Sequence, residues 1–460
     1  MTDDSSWRAM ERAVAAARVY IDGLDSAPVG ATVDLATLRA RLDTGLPATG
    51  VAPDRVIDEL VAATEGGHNA STGGRFFAWV IGGALPAALA ADWLTAAWDE
   101  NAGMYSCAPA ASVAEEVAGA WLKDVLGLPA SASFALTTGC QMAHVTALAA
   151  ARHALLAARG WDVEADGLNG APPIAVLANA QRHHSLDRAL RLLGIGSRAV
   201  VPLATGDDDR VRPETLAAAL AERGGLPTIV ALNAADLNIG ACDDFATLIP
   251  IARAAGAWVH VDGAFGLWAA ASPRLRAHVA GVELADSWAT DAHKWLNTPY
   301  DCGIAVVRDA AAHRAAMTVS ASYLVVDGGA RDAIDWTPEF SRRGRGYIVY
   351  AALRELGRDG LAALFDRCCD HAAALAHGVA ALPGAALVGG PGLNQALVRF
   401  TGADGADCTD AVIARVNAGG EAFFSGTLYR GRRAMRISVC NWRTSDADVA
   451  RAVAAVAAAL

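Results

Sequence analysis

Residues 285–303 read ADSWATDAHKWLNTPYDCG. The segment 286–290 predicts a short buried strand, and the polar residues Asp291, His293 and Lys294 follow it directly. A lysine in apolar surroundings loses hydration, which lowers the pKa of its ammonium group and yields an amine able to attack an aldehyde. On this stretch alone an ordinary lysine at the end of a strand is slightly favoured, and the rest of the chain decides otherwise.

Short apolar segments alternate with helical segments through the middle of the chain. The predicted strands are 134–136, 174–177, 199–203, 228–232, 258–262, 286–290 and 303–307. Buried strands separated by helices indicate an α/β domain with a mostly parallel central sheet and helices on both faces. Ligands collect at the carboxyl ends of such strands, so the residues that follow each strand are the candidates for a site.

The pattern divides the chain into four segments. Residues 1–108 form a predicted N-terminal helical arm, 109–320 the large domain, 321–358 a mobile loop with a connecting helix, and 359–460 a small α+β domain. Outside the large sheet we predict helices at 5–25, 52–64, from Pro86 onward, and at 112–126, 346–357, 361–381 and 445–460, and strands at 395–400, 421–427 and 434–439. Ser112 and Glu115 have the spacing of a capping box for the helix at 112–126.

Composition argues against several classes of partner. The net charge is −11 and the basic residues are scattered, which argues against a nucleic-acid or anionic-membrane partner. The uncharged stretches 76–91 and 371–398 contain glycine and proline and make poor membrane spans. The eight cysteines show no CxxC pair and no zinc spacing, and no apolar signal segment begins the chain. These features predict a cytoplasmic protein with free thiols and no metal site.

Polar groups follow several of the predicted strands. A turn between a strand and a helix N-terminus offers backbone N–H groups and the helix dipole to an anion, and it contains Thr138, Gly139, Cys140 and Gln141. The pair His183-His184 follows the next strand, and no third ligand at metal spacing accompanies it. A single aromatic or acid/base histidine is therefore the better interpretation of that pair.

Asp262 ends another strand, within the segment VHVDGAFG. A carboxylate at a buried strand end needs a partner, either a backbone N–H or arginine of the protein or a cation on a ligand. The small residues Gly263 and Ala264 behind it leave room for a flat group. An anion cradle, a histidine, a strand-end aspartate and a His-Lys pair, in this order on a parallel sheet, describe a pyridoxal phosphate site.

The chain resembles the group II pyridoxal-phosphate-dependent amino-acid decarboxylases of the aspartate-aminotransferase fold type I, and within them the aromatic-L-amino-acid decarboxylase branch. The matching segments are HVDGAFG, GVELADSWATDAHKWLNTPYDCG, SYL, SRRGRG and RISVCNWRTSDADV, in order over roughly residues 70 to 450. The DAHKW segment with an upstream HVD is the most specific of these. The resemblance implies the fold, the cofactor and a role for each matching residue.

By this resemblance Lys294 binds the cofactor aldehyde, Asp262 pairs with the ring nitrogen and His183 stacks on the ring. The other implied cofactor contacts are His293, Thr138, Gly139, Cys140, Gln141, Asn238, Asp291 and Ala264. Two positions depart from the family. Cys140 and Gln141 stand where small or hydroxyl residues are common, and Asp291 stands where asparagine is common.

The resemblance also implies the reaction type. Tyr323 matches the loop tyrosine that protonates Cα after carbon dioxide leaves, and relatives with phenylalanine there tend to form an aldehyde. Trp79, Val80 and Met104 match the substrate pocket. In this family the active site lies at a homodimer interface, with residues 102–105 coming from the partner.

We therefore expect decarboxylation of an L-amino acid, aromatic or apolar, to its amine and carbon dioxide. An acidic substrate would require a placed arginine, for which Arg75, Arg342 and Arg343 are the candidates. Other reactions of the same fold remain as alternatives: an aminotransferase, a carbon–carbon lyase, a desulfurase, or an aldehyde-forming decarboxylase. A cofactor-binding protein without turnover, or a structural homologue, is a further alternative, which the complete set of Asp262, His183 and Lys294 disfavours.

Overall fold

A computed structural model describes residues 4–319 and 329–460. Four helices come first, and they are α1 Asp4–Gly23, α2 Leu35–Leu42, α3 Pro53–Thr64 and α4 Pro86–Trp98. Prolines stand in the first turns of α3 and α4, where their missing N–H costs nothing. The predicted helices at 52–64 and from Pro86 are confirmed, whereas α2 was not predicted. No helix in the described part of the chain is long and apolar enough to cross a membrane.

The large domain is built on a seven-stranded sheet. Its strands are β1 Ser133–Thr137, β2 Ala175–Asn179, β3 Val200–Leu203, β4 Thr228–Asn233, β5 Trp258–Asp262, β6 Ser287–Asp291 and β7 Gly303–Val307, in the spatial order β1-β7-β6-β5-β4-β2-β3. The neighbours from β3 to β6 are parallel, and β7 runs antiparallel to both β6 and β1. All seven predicted strands are present because each apolar run is long enough to cross a sheet that is buried on both faces.

Helices cover this sheet. They are α5 Pro109–Val125, α6 Cys140–Ala157, α7 Val163–Asp166, α8 His184–Leu192, α9 Pro213–Glu222, α10 Phe245–Ala254 and α11 Ala310–Met317. The core between the layers contains three fully buried tryptophans, Trp268, Trp288 and Trp295. Trp295 directly follows Lys294, so the chain next to the lysine is anchored in the core.

The C-terminal domain pairs a small antiparallel sheet with three helices. Its elements are α12 Arg345–Ala380, β8 Ala385–Gly392, β9 Gln395–Phe400, α13 Thr409–Gly419, β10 Ser425–Tyr429, β11 Arg432–Ser438 and α14 Asp446–Ala458. The non-helical backbone of Gly357 (φ 60°, ψ −174°) divides α12, in agreement with the two helices predicted there. The sequence did not predict β8, whose second half, GGPG, has the composition of a turn.

The predicted capping box at the start of α5 is wrong. The helix begins at Pro109, and the Ser112 hydroxyl has no hydrogen-bond partner within residues 4–319 and 329–460. Glu115 is buried and forms ion pairs with Arg342 at 2.7 Å and Arg331 at 3.4 Å. An unpaired buried guanidinium costs more free energy than an uncapped helix N-terminus, and Glu115 therefore faces the arginines.

Asn297 joins three parts of the chain next to Lys294. Its side-chain oxygen accepts the N–H groups of Gly83 at 2.6 Å and Trp442 at 3.0 Å. Its amide nitrogen donates to the carbonyl oxygens of Trp295 at 2.7 Å and Cys440 at 2.9 Å. The N-terminal arm and the C-terminal domain are thereby fastened to the turn that carries the lysine.

The buried His313 predicts an acid-sensitive fold. Its ring bonds the Ser133 hydroxyl at 2.8 Å and the Trp336 carbonyl at 2.9 Å, and burial lowers its pKa to about 4. The unfolded chain binds a proton near pH 6.5 and the folded chain does not, so stability is lost as pH falls through this window. Between pH 7 and pH 5 we expect His313 to contribute a loss of about 2 kcal/mol in unfolding free energy.

Urea denaturation at the two pH values measures this loss of unfolding free energy. In His313→Gln the side chain cannot titrate, so the loss should be smaller by about 2 kcal/mol. The matched control is His184→Gln, a change at an exposed histidine, and its loss should equal that of the unmodified protein. An equal pH dependence for His313→Gln and the unmodified chain would contradict the assignment.

Candidate active site

The turns at one edge of the large sheet bring the candidate residues together. Asp262 is the last residue of β5, and it pairs in register with Ala289 of β6. Lys294 lies three residues beyond the end of β6. Gly139 is the N-cap of α6 and His183 the N-cap of α8, so both helices point their N-termini at this edge.

Lys294 forms an ion pair inside the site. Its Nζ lies 3.0 Å from Oδ2 of Asp291, and Oδ1 of the same carboxylate accepts the backbone N–H of Cys140 at 2.6 Å. Burial alone would lower the pKa of Lys294, but Asp291, with smaller contributions from Cys140 and Asp262, outweighs it and raises that pKa. The lowered pKa expected from the sequence is therefore wrong for the protein alone, because the sequence does not reveal a carboxylate at 3 Å.

Asp262 is held as an anion. Its Oδ1 accepts the Ala264 N–H at 3.1 Å, and its Oδ2 lies 3.4 Å from Nε2 of His144. Burial alone would raise the pKa of Asp262, but His144, followed by His183 and Lys294, holds it well below its usual range. A buried, ionised carboxylate at the sheet edge is suited to a cation on a ligand.

His144 was missed by the sequence analysis. It lies four residues after Cys140, hence on the same face of α6, and that spacing was the available signal. Cys140 Sγ, a His144 nitrogen and an Asp262 oxygen lie within 4.8 Å of one another. Burial, with Asp291 and Asp262 acting in the same direction, raises the pKa of the Cys140 thiol well above its usual range.

The tautomer of His183 is fixed by its position at a helix start. Its Nδ1 accepts the backbone N–H of Ser185 at 3.2 Å, so a neutral ring carries its proton on Nε2. Desolvation lowers the pKa of His183, with Asp262 acting in the opposite direction. The side-chain amide of Gln141 donates to the Ser185 carbonyl at 3.2 Å and ties the start of α6 to this turn. His184 is 97% exposed and lies outside the cluster.

The turn into α6 is tightly packed. A Cβ on Gly303 would lie 2.2 Å from the carbonyl carbon of Gly139, and Gly139 itself has φ 121°. Only glycine fits both positions. Thr138 is exposed beside them, whereas the Cys140 side chain is buried. The N–H of Cys140 is bonded to Asp291, so an anion at this turn would share the first turn of α6 with that carboxylate.

A family model, the pyridoxal-dependent decarboxylase conserved domain, matches residues 38–400. The chain belongs to this family. It is 31% identical over 385 residues to L-2,4-diaminobutyrate decarboxylase of Rhizobium meliloti (strain 1021), covering 81% of this chain and 75% of that protein. It is 29% identical over 374 residues to aromatic-L-amino-acid decarboxylase of Bacillus atrophaeus, covering 80% and 75%.

Solved structures agree with this assignment. The structure of Oryza sativa TDC with PLP and tryptamine superimposes with a TM-score of 0.92 at 26% identity, over 100% of this chain and 98% of that chain. The fold type I assignment is thereby confirmed. The protein is a pyridoxal-phosphate-dependent amino-acid decarboxylase, a carboxy-lyase.

The residues of this decarboxylase fit the cofactor. The anionic Asp262 suits a protonated ring nitrogen, the amine of Lys294 suits an aldehyde, and the glycine-lined turn at Gly139 admits a group that a Cβ would exclude. His183 stands at the same edge with a neutral ring. All four positions are among the eleven that the sequence analysis assigned to the cofactor.

Two other predicted cofactor residues have protein partners. His293 accepts the Cys302 N–H at Nδ1 (3.1 Å), stacks on the Tyr300 ring at 4.3 Å and lies 3.5 Å from Asp291. These contacts fix the His293 ring beside the Asp291 carboxylate. Asn238 accepts the hydroxyl of Thr427 at 3.3 Å, which ties the loop after β4 to the C-terminal domain.

The predicted substrate residues lie in two places. Trp79 is 48% exposed and has ring neighbours at Phe76 (5.9 Å) and Phe423 (6.1 Å), while Val80 is buried in the core. Met104 is half-buried, in a segment where Tyr105 donates its N–H to Asp332 at 2.8 Å. Tyr323 lies outside the described residues.

Arg436, the first residue of the RISVCNWRTSDADV segment, is a further candidate that was not predicted. It is buried on β11, opposite Ser425, whose hydroxyl accepts the Trp79 N–H at 3.3 Å. One guanidinium nitrogen donates to the Leu237 carbonyl at 2.6 Å, and Nε has no partner in the described ranges. Burial lowers its pKa to about 10, so it stays cationic at neutral pH.

Gly82 should be essential for the placement of Lys294. A Cβ on Gly82 would lie 1.9 Å from the Lys294 carbonyl oxygen, so Gly82→Ala has to displace one of the two backbones. We expect at least tenfold weaker cofactor binding, about 1.4 kcal/mol, with secondary structure retained. Equilibrium dialysis and the visible absorbance of bound cofactor measure this. Gly23→Ala, where no atom lies within 4 Å, is the matched control, and cofactor binding unchanged in Gly82→Ala would refute the contact.

Proposed function

We propose that this enzyme decarboxylates an L-amino acid with an aromatic or other apolar side chain, releasing the amine and carbon dioxide. The observation that carries the proposal is the Trp79 ring, half-exposed beside Phe76 and Phe423, on the segment that presses Gly82 against Lys294. An exposed aromatic surface that is held in place by two further rings favours an apolar side chain over a charged one.

The residues of the chain bind and orient the reactants. The ammonium group of Lys294 lies with its Nζ 3.0 Å from Oδ2 of Asp291, so this carboxylate is placed to accept a proton from the lysine. Asp262 would hold the ring nitrogen of the cofactor in its protonated form, and His183 would cover the ring face with a neutral imidazole. When bound, pyridoxal phosphate supplies the electron sink for the pair left by the broken Cα–carboxylate bond.

The three arginines considered for an acidic substrate are committed elsewhere. Arg75 donates to four backbone carbonyl oxygens, those of Leu24, Asp25, Ala27 and Glu421. Arg342 pairs with Glu115 at 2.7 Å and Arg343 with Asp92 at 2.6 Å. Because all three guanidinium groups already have protein partners, none of them favours an acidic substrate. Arg436, whose Nε has no partner among residues 4–319 and 329–460, is the observation that keeps an acidic amino acid as the second candidate.

A decarboxylation screen tests the proposal. The purified enzyme is loaded with pyridoxal phosphate and offered aromatic, aliphatic, acidic and diamino L-amino acids, and amine and carbon dioxide are quantified. We expect the highest kcat/KM for an aromatic or apolar substrate. Lys294→Ala should lack the visible absorbance of bound cofactor. Its rate should fall at least 1000-fold, which corresponds to an increase of about 4 kcal/mol in activation free energy. A preference for an acidic or diamino substrate would overturn the substrate class.

A substitution at Tyr323 tests the reaction type, because its SYL segment resembles the catalytic loop of the family. If this hydroxyl protonates Cα, Tyr323→Phe should lose amine formation and gain aldehyde. The distribution between amine and aldehyde is measured by chromatography, with Tyr20→Phe in the N-terminal arm as control. An unchanged amine yield would remove Tyr323 from the reaction.

We further propose that the enzyme is a homodimer formed through its N-terminal arm. This arm exposes many large apolar side chains, among them Trp7, Met10, Val14, Val19, Val56, Leu60, Val61, Trp93, Leu94 and Trp98. Patches of this kind on a folded chain mark interfaces. The segment with Met104 borders residues 332–342 of its own chain, and by resemblance it would complete the site of the second copy.

We also place the enzyme in the cytoplasm. All eight cysteines are free thiols, and six of them are buried. Free thiols on this scale suit a reducing compartment.

A further inference from the structure

A continuous chain of buried hydrogen bonds lies behind Asp262. His144 Nδ1 is 2.9 Å from His260 Nε2, and His260 Nδ1 is 2.9 Å from the Ser287 hydroxyl. Trp258 Nε1 donates to the same hydroxyl at 2.9 Å. His144, His260 and Ser287 are fully buried, so protein groups rather than water satisfy these atoms.

The fold itself assembles this chain. Trp258, His260 and Asp262 alternate along β5 and therefore share one face of the sheet. Ser287 begins β6 directly in register with His260, and His144 reaches the same face from α6. Three elements thus contribute side chains to a single line that ends at the Asp262 carboxylate.

The direction of the bonds follows from the two partners of the Ser287 hydroxyl. The indole N–H of Trp258 can only donate, so it takes one lone pair of the Ser287 oxygen. Among the described residues the buried serine O–H has no other recorded acceptor than Nδ1 of His260, so we assign the serine as the donor in that bond. A neutral His260 then carries its proton on Nε2 and donates it to Nδ1 of His144. His144 in turn carries its proton on Nε2, the nitrogen that lies 3.4 Å from Asp262.

Electrostatics supports a neutral ring for His260. Burial, followed by the neighbouring His144, lowers the pKa of His260 to about 3, so this ring is not protonated at neutral pH. The other ionisable groups that face Asp262 are His183 and Lys294, and the Cys140 thiol lies 3.5 Å from His144 Nε2. An anionic Asp262 attracts the Nε2 proton of His144 and reinforces the same tautomer.

We propose that Trp258, Ser287, His260 and His144 form a relay that fixes the tautomer of His144 and thereby holds Asp262 ionised and oriented toward the cofactor ring nitrogen. The four are positioning residues, since they act through Asp262. The inference deepens the proposed function at the same site. It rests on pyridoxal phosphate being bound there and does not depend on which amino acid is the substrate.

Two substitutions at His144 separate a hydrogen bond from mere packing. Gln has a side-chain N–H that reaches about as far as Nε2 of histidine, whereas Leu fills similar space without a donor. We expect His144→Leu to weaken cofactor binding at least tenfold and His144→Gln to stay within threefold of the unmodified enzyme, measured by equilibrium dialysis. Equal binding by the two variants would overturn the proposal.

Ser287→Ala tests the far end of the relay without touching Asp262. Histidine-selective ¹⁵N NMR of the loaded full-length enzyme should show His144 and His260 as single Nε2–H tautomers, and Ser287→Ala should abolish the single tautomer of His260. Ser272→Ala removes another fully buried serine hydroxyl, which donates to Asp366 at 2.6 Å, and it should leave both tautomers unchanged. The relay would be refuted if His144 of the unmodified enzyme carried its proton on Nδ1 or were doubly protonated. It would also be refuted if the spectrum of Ser287→Ala were the same as that of Ser272→Ala.

None of these readouts uses turnover. If the enzyme binds pyridoxal phosphate but releases no amine from an aromatic or apolar amino acid, the substrate proposal fails while the relay stands. If the unmodified enzyme binds no cofactor at all, the relay fails together with the assignment of the site.

Discussion

The four hydrogen bonds of the Asn297 side chain hold the active site together. They connect the turn after Lys294 to Gly83 in the N-terminal arm and to Cys440 and Trp442 in the C-terminal domain. Asn297 is fully buried and has a positive φ of 57°, which asparagine tolerates better than most residues. Because an unpaired buried amide is costly, the three segments have to meet at one point, and Lys294 lies three residues away.

Charge compensation explains the inner arrangement of the site. Asp291 and Asp262 are both buried, and each faces a cation or a hydrogen-bond donor, Lys294 in one case and His144 in the other. A buried carboxylate without such a partner would take up a proton and lose its function. The same rule operates away from the site, where Glu115 faces Arg331 and Arg342 instead of capping its own helix.

Much of the fold followed from local pattern. The seven strands of the large sheet were predicted because buried parallel strands are short apolar runs, and Asp262 and Lys294 were placed at one edge because that edge collects strand ends. The order of cofactor-binding motifs then identified the family. β8 was missed because its glycines and proline look like a turn, and the strand exists only because β9 supplies its hydrogen bonds.

The sequence by itself predicted the seven strands of the large sheet, since these depend on the periodicity of apolar residues along the chain. It also singled out Lys294, Asp262 and His183 as candidate cofactor residues, through their positions after predicted strands and through the family resemblance. The tertiary structure decided the sign of the Lys294 pKa shift and the meeting of His144 with His260, which are 116 residues apart. Both depend on distances of about 3 Å between side chains of different elements, and electrostatics and hydrogen bonding act through space and not along the chain.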